Sequence, residues 1–366
     1  MNPWRTLTTI LSTSGVIALP LLSISNGALL TAASPAGNER HVGVVWEDQV
    51  DVGVFDEVGG AVASNGPLVF AVGTGFNPAS GLDWLARAYD AKSGRLVWAD
   101  QFDRGGRNDW ARGVEVQGSR VFVSGYSSDS TGNRDIAVRA YDSATGAVLW
   151  SAFVDVGRRD ESRVNTLAVE GNHVFVGGFG GNTLGDADMV VVALDADTGE
   201  RLWMDVANLG ASDLVERLAV SGDRLFAVGR AQIYGLFHMA VRAYDVGTGA
   251  LLWSDIHPSG VDLEPVTAAL ATDGGQVYAG YAGGDQFDFI VRAYDARSGA
   301  VQWEDVADKG GDKRGSGARR TTVRCRPGRT WLRLPPGSKQ LRSDGSRVRH
   351  EAWNADLGTD VRRRWR

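Results

Sequence analysis

The sequence predicts an all-β fold, a β-propeller of four-stranded antiparallel blades of about 50–53 residues each, and three observations predict it. One eleven-residue segment recurs five times at nearly constant spacing. A second pair of short alternating stretches lies between successive copies. The composition, with Gly 48, Trp 12 and only Met 4, is that of many short strands joined by turns. Self-similarity at a period of about fifty residues is a repeat architecture, and four strands per period make one propeller blade.

The first element is a leader. Arg5 precedes an apolar stretch from Leu7 to Leu22, broken by Pro20, and then come Ser25, Asn26, Gly27 and Ala28. This is the layout of a secretory signal peptide and short linker over residues 1–33, with cleavage expected between Gly27 and Ala33. The stretch is too short and too hydroxylated for a spanning helix. No cysteine follows it, which excludes a bacterial lipoprotein anchor.

The repeats occupy residues 41–312. A representative copy is Ala140-Tyr-Asp-Ser-Ala-Thr-Gly-Ala-Val-Leu-Trp150. Its aspartate recurs as Asp90, Asp142, Asp195, Asp245 and Asp295, its glycine as Gly94, Gly146, Gly199, Gly249 and Gly299, and its tryptophan as Trp98, Trp150, Trp203, Trp253 and Trp303. Ile136, Val138 and Ala140 alternate with Ala137, Arg139 and Tyr141, which predicts a strand packed on both faces. Asp142 ends that strand and caps the turn, and Gly146 supplies the positive φ that closes it. The tryptophan, large and with a single N–H donor, suits a wedge between neighbouring blades. The second hairpin is seen in Leu167 to Gly177 and Leu218 to Gly229, turning at Gly-Asn and Gly-Asp. Trp46 stands 52 residues before Trp98, so Val44 to Val50 reads as an orphan outer strand that would complete the last blade of a closed ring. Five complete blades are therefore expected, truncated from a seven- or eight-bladed parent.

The last element, residues 313–366, breaks the pattern. It carries 16 Lys/Arg against 4 Asp/Glu, whereas the first 312 residues carry 22 against 40, and it holds the single cysteine, Cys325. Reading the possible codons one base later, Gly317 to Arg320 can give Ala-Leu-Ala-Val. Val348 to Leu357 can give Tyr-Asp-Thr-Lys-Leu-Gly-Thr-Leu-Ile-Trp, one blade period after Asp295 and Trp303. The segment thus reads as a frame-shifted, disordered tail hiding a sixth blade, and a decaying gene without function is one consequence. An acidic body with a tail of no selected charge argues against a nucleic-acid partner. A body without cysteine has no disulfide, thiolate metal site or cysteine nucleophile.

The repeated motif resembles the tryptophan-docking motif, Ala-x-Asp-x-x-x-Gly-x-x-x-Trp, of the quinoprotein alcohol dehydrogenase-like propellers, whose repeats are named for pyrroloquinoline quinone (PQQ). The resemblance covers residues 46 to about 312 and implies the fold. In that family the motif is a structural girdle shared by enzymes and non-enzymes. The enzymes would be expected to hold the quinone over the axis on a tryptophan floor, with a basic residue, Ca²⁺ ligands, a catalytic Asp and often a disulfide of adjacent cysteines. Here the only non-girdle tryptophans between leader and tail are Trp84 and Trp110, and the blades lack long insertions. No catalytic or cofactor-binding residue is carried over.

Candidate site residues follow from loop placement. The loops entering the innermost strand and those joining the second and third strands share one face and vary in sequence, as in Tyr126 to Asn133, Phe179 to Gly185 and Arg230 to Gly235. Loops on a rigid scaffold carry binding. Acidic residues recur there: Asp51, Asp103 and Asp155, with Asp308, lie five after a blade tryptophan, and Asp83, Asp135, Asp188 and Asp288 lie seven before the motif aspartate, where the fourth blade has His238. Oxygen ligands in a ring suit Ca²⁺. Recurrence in every blade instead favours carboxylates that each cap their own loop. The histidines at 41, 173, 238, 257 and 350 share no metal-ligand spacing, and His173 takes a turn position. Arg87, Arg139, Arg242 and Arg292 are expected to lay their stems over neighbouring aromatics, with Val192 replacing them in one blade. The function expected is an exported, non-catalytic scaffold that binds a protein, glycan or other ligand, with no cofactor and no membrane span after cleavage. A PQQ- and Ca-dependent dehydrogenase is the alternative.

Overall fold

The Asp-x-x-x-Gly segments close as predicted, and they set the rest of the architecture. At the second copy the Asp142 carboxylate accepts the Thr145 amide at 2.9 Å and its hydroxyl at 2.7 Å, and the Gly146 amide donates to the Asp142 carbonyl at 2.9 Å. The hydroxyl bond, the largest effect, holds Asp142 below the usual carboxylate range. The same turn forms at Asp90, Asp195, Asp245 and Asp295.

A computed structural model describes residues 44–49, 58–156, 162–181, 186–261, 268–283 and 288–307. The expected leader (1–33) and basic tail (313–366), with Asp51 and Asp308, lie outside the described residues. So do the side chains of residues 258–261, of 282 and 283, and of Asp288. Five four-stranded antiparallel sheets form, each a simple meander in chain order. Blade A is β1 (Val58–Ser64), β2 (Leu68–Asn77), β3 (Gly81–Asp90) and β4 (Leu96–Phe102). Blade B is β5 (Asp109–Gln117), β6 (Arg120–Ser128), β7 (Arg134–Asp142) and β8 (Val148–Val154). Blade C is β9 (Arg163–Glu170), β10 (His173–Gly181), β11 (Ala187–Asp195) and β12 (Arg201–Ala207). Blade D is β13 (Leu214–Ser221), β14 (Arg224–Ile233), β15 (Leu236–Asp245) and β16 (Leu251–Val261). Blade E is β17 (Ala269–Thr272), β18 (Gln276–Gly283), β19 (Asp288–Asp295) and β20 (Val301–Ala307). The strands β1, β5, β9, β13 and β17 are innermost, and successive ones approach to within 8 Å between Cα atoms.

The core lies between blades. One cluster joins Phe122, Ile136 and Val138 of blade B to Val174, Val176 and Val190 of blade C, and three more of this kind join the other neighbours. The girdle tryptophans seal these joints. Trp98 donates its indole N–H to the Ser143 carbonyl of the next blade at 2.9 Å, and Trp46, Trp150, Trp203 and Trp253 do the same at 2.8–3.1 Å. Each indole lies flat over the next motif glycine: a Cβ on Gly146 would come within 2.6 Å of Trp98, and φ there is +73°. Glycine is required twice, by backbone and by space.

Val44–Gln49, expected as a strand, carries no strand pairing among the described residues, but its Trp46 is docked on blade A as a fourth-strand tryptophan would be. A ladder needs a neighbouring strand, whereas the tryptophan needs only the glycine turn of the following blade.

Candidate functional site

Two polar constellations were missed by the sequence reading, one structural and one on the variable face. The structural one pairs Trp-x-Asp of one blade with Arg-x-Tyr of the next. Asp100 receives the Arg139 guanidinium and the Tyr141 hydroxyl, each at 2.9 Å. Asp205 with Arg242 and Tyr244, and Asp255 with Arg292 and Tyr294, repeat it. Asp48 accepts Tyr89 at 2.8 Å, with Arg87 at 3.6 Å. Burial first, and the Asp48 bond second, push the Tyr89 phenol up to about 12. The expected stacking of these arginines is present, with Arg139 4.0 Å from the Phe102 ring centroid, but each is also half of an ion pair. Between blades B and C the whole set is exchanged for Ala152, Val192 and Leu194, which pack together.

Four of the loop aspartates are engaged by nearby side chains or amides. Asp83 is buried and accepts from Asn77, Ser80 and Gln101 at 2.7–2.8 Å. Asp135 is held by Arg104 at 2.6 Å and Asn133 at 2.9 Å, and Asp188 by Asn208 at 2.9 Å. Asp103 caps the amides of Gly105 and Gly106, and Asp155 is exposed. Among the described residues no three His, Cys, Asp or Glu side chains converge as a metal site. Asp109 and Asp213, not singled out from the sequence, are fully buried and gather loop amides: Asp109 those of Arg104 and Ser128, Asp213 those of Leu209, Gly210 and Gln232. Desolvation nevertheless pushes the Asp109 carboxyl up to about 6.

The second constellation starts from a bulge. In blades A to D the inner strand slips by one residue opposite a glycine of the second strand, leaving Gly60, Arg112, Asn165 and Glu216 unpaired in the ladder. The facing glycines, Gly73, Gly125, Gly178 and Gly229, admit it, since a Cβ on any of them would lie 1.8–2.4 Å from the carbonyl of the opposing strand. The bulged side chains link inner strands: Asn165 donates to the Val215 carbonyl at 2.9 Å, and Glu216 accepts the Ala268 amide at 2.7 Å. Just beyond each bulge, at the end toward the variable loops, stand the cross-strand pairs Trp110–Tyr126, Arg163–Phe179 and Leu214–Arg230.

Beside these pairs opens a cleft of about 300 Å³ across blades B, C and D, with Arg112, Arg163, Arg217 and Arg230 at its wall, Phe179 and Leu214 as apolar surface, and Glu216 as its one carboxylate among the described residues. Arg112 lies over Trp110 at 5.6 Å, Arg163 over Phe179 at 5.9 Å, and neighbouring Arg134 over Tyr126 at 4.6 Å. Desolvation, and then the charge of Arg163, lower Arg112 below its usual value. Burial raises the Tyr126 phenol while Arg134, Arg163 and Arg112 pull it back.

Comparison with known proteins places this architecture. The family represented by the outer membrane protein assembly factor BamB matches residues 83–203 and 133–327. No curated protein sequence matches. Among solved structures, BamB from Moraxella catarrhalis is 18% identical with a TM-score of 0.38, covering 64% of this chain and 60% of that one. A quinohemoprotein alcohol dehydrogenase from Pseudomonas putida HK5 is 16% identical with a TM-score of 0.45, covering 66% and 40%. One from Comamonas testosteroni is 14% identical with a TM-score of 0.45, covering 68% and 42%. The chain thus spans less than two thirds of the length of each of these three.

Proposed function

Because the chain belongs to the repeat family represented by the outer membrane protein assembly factor BamB, we propose that it is an exported, non-catalytic scaffold that binds a protein partner on its variable face. The export step rests on the leader-like composition of residues 1–33 and gives a periplasmic or secreted location. The observation that carries the reading is the cleft across blades B, C and D, where Arg112, Arg163 and Arg217 of the bulged inner strands meet Phe179 of β10. Elsewhere the repeated polar residues are consumed inside the scaffold, in turn caps and interblade ion pairs. Rigid blades with one differentiated face suit recognition.

A photo-crosslinking phenylalanine analogue at Phe179 should yield a discrete adduct with one envelope protein in living cells. The same analogue at Ala144, in a turn of the opposite face, should yield none. Equal adducts from both positions, or none from either, would overturn the assignment. A parallel incubation with quinone cofactor and Ca²⁺ should give no bound-quinone absorbance and no alcohol-dependent dye reduction, and clear dye reduction would replace the scaffold by an enzyme.

A further inference from the structure

We propose that the cleft is an acceptor for an acidic, extended polypeptide segment, whose carboxylates are taken by Arg112, Arg163 and Arg217. This rests on the scaffold reading and names the chemistry of its ligand.

The cations set the requirement. Among the described residues no carboxylate pairs with Arg112, Arg134 or Arg163; aromatic faces hold all three instead. The Nε atoms of Arg112 and Arg134 are buried without a hydrogen-bond acceptor. With Nε covered, the terminal N–H groups are the donors a guanidinium can offer to an entering carboxylate. Among the described residues of the cleft wall, Arg112, Arg163 and Arg217 face one carboxylate, Glu216, which is already engaged by the Ala268 amide. In a region that carries 40 acidic and 22 basic residues over positions 1–312, this concentration of positive charge is a local exception.

The placement selects the class of anion. Arg112 stands on the inner strand of blade B, Arg163 on that of blade C and Arg217 on that of blade D. They sit at different registers, Arg112 as the bulge residue, Arg163 two residues before the bulge of its strand and Arg217 one after, so the charge is spread along the cleft over three blades. An extended acidic polypeptide carries several carboxylates on one chain and can offer them to several planar guanidinium forks. Phe179 and Leu214 give the intervening small side chains an apolar surface. A single small anion would reach fewer of these dispersed cations.

The test uses the full chain and a fluorescein-labelled peptide of alternating Glu and Ala, read by fluorescence anisotropy. Binding should weaken on adding salt, and a Lys–Ala peptide should not bind. R112Q and R163Q should each weaken binding about tenfold, the loss of one charge-assisted contact, with part of the affinity restored in R163K. Arg120, on the opposite face and paired with Asp197, supplies the control: R120Q should bind as the parent does. An unchanged near-ultraviolet spectrum shows that a variant is folded. No binding of the Glu–Ala peptide, equal binding by R112Q and R163Q, or stronger arginine-dependent binding of inorganic phosphate would each overturn the proposal. If the Phe179 crosslink persists while the peptide fails, only the acidic ligand falls. Dye reduction with quinone would remove the scaffold reading itself.

Discussion

Two carboxylates of this protein titrate in opposite directions, and the difference comes from what surrounds them. Asp109 is buried, and although the amides of Arg104 and Ser128 favour its charge, desolvation prevails and raises it from 3.8 to about 6. Folding thus favours its protonated form. Its contribution is fully present below about pH 4 and is lost as pH rises through 6, an effect of up to about 3 kcal/mol. Glu304 is held by His257 and Arg292, with Nε2 of His257 at 3.1 Å and Nε of Arg292 at 2.7 Å, and falls from 4.5 to about 2, the His257 bond being the largest cause. Its contribution is present above about pH 4.5 and is lost as pH falls toward 2. Thermal midpoints measured across pH 3–7 should separate the two. D109N should gain on the parent as pH rises from 4 to 6, and E304Q should lose against the parent as pH rises from 3 to 4.5. Curves that stay parallel for either variant would refute the corresponding assignment.

At the scale of the blade joint, the chain contains its own control. Three joints complete the full Asp–Arg–Tyr set by hydrogen bonds and a fourth has it with a longer ion pair, whereas the joint between blades B and C closes with Ala152, Val192 and Leu194. Breaking a largely buried ion pair strands a charge, while replacing all partners by apolar groups of fitting shape removes the cost along with the gain. D100A should therefore lower stability by about 2–4 kcal/mol, and the triple variant D100A/R139V/Y141L should lose less than D100A alone. A triple variant worse than the single would show that the polar set cannot be exchanged as a unit. The same joint explains what the sequence revealed. Asp142, Gly146 and Trp150 lie within one short segment, so their recurrence exposed the hairpin and the girdle. Asp100 and Tyr141 meet across two blades, 41 residues apart, and only the coincident loss of Asp, Arg and Tyr at Ala152, Val192 and Leu194 signalled that they belong together. The cleft arginines were harder still. Arg112 reaches its place through a one-residue bulge, whose only trace is a recurring Phe-x-x-Gly, as in Phe122 to Gly125 and Phe226 to Gly229.

For the molecule as a whole, the decisive surface is the far side of blade E. Trp84, Ile136, Met189 and Met239 occupy one structural position in blades A to D and are 0–2% exposed, whereas Phe289 at that position in blade E is 53% exposed. Tyr278, where the other blades bury a phenylalanine, is likewise only partly covered. A side chain shaped for a blade joint is thus open to water, and with it a sheet face of the kind that drives association. Residues 313–366, read one base out of frame, would supply a motif hairpin to cover it. Two measurements follow from that reading. Replacing Phe289 with Lys should reduce binding of a hydrophobic dye and self-association with little change in the thermal midpoint, since no joint is lost, whereas M239K, at the equivalent buried position, should unfold the protein. Expressing the chain with the downstream frame restored should reduce dye binding to the level of F289K and raise the midpoint, because the added blade buries Phe289 and gives Trp303 a glycine turn on which to dock. If the restored chain binds dye as strongly as the present one, the hidden-blade reading of the tail is wrong. In that case the open face of blade E needs a different occupant.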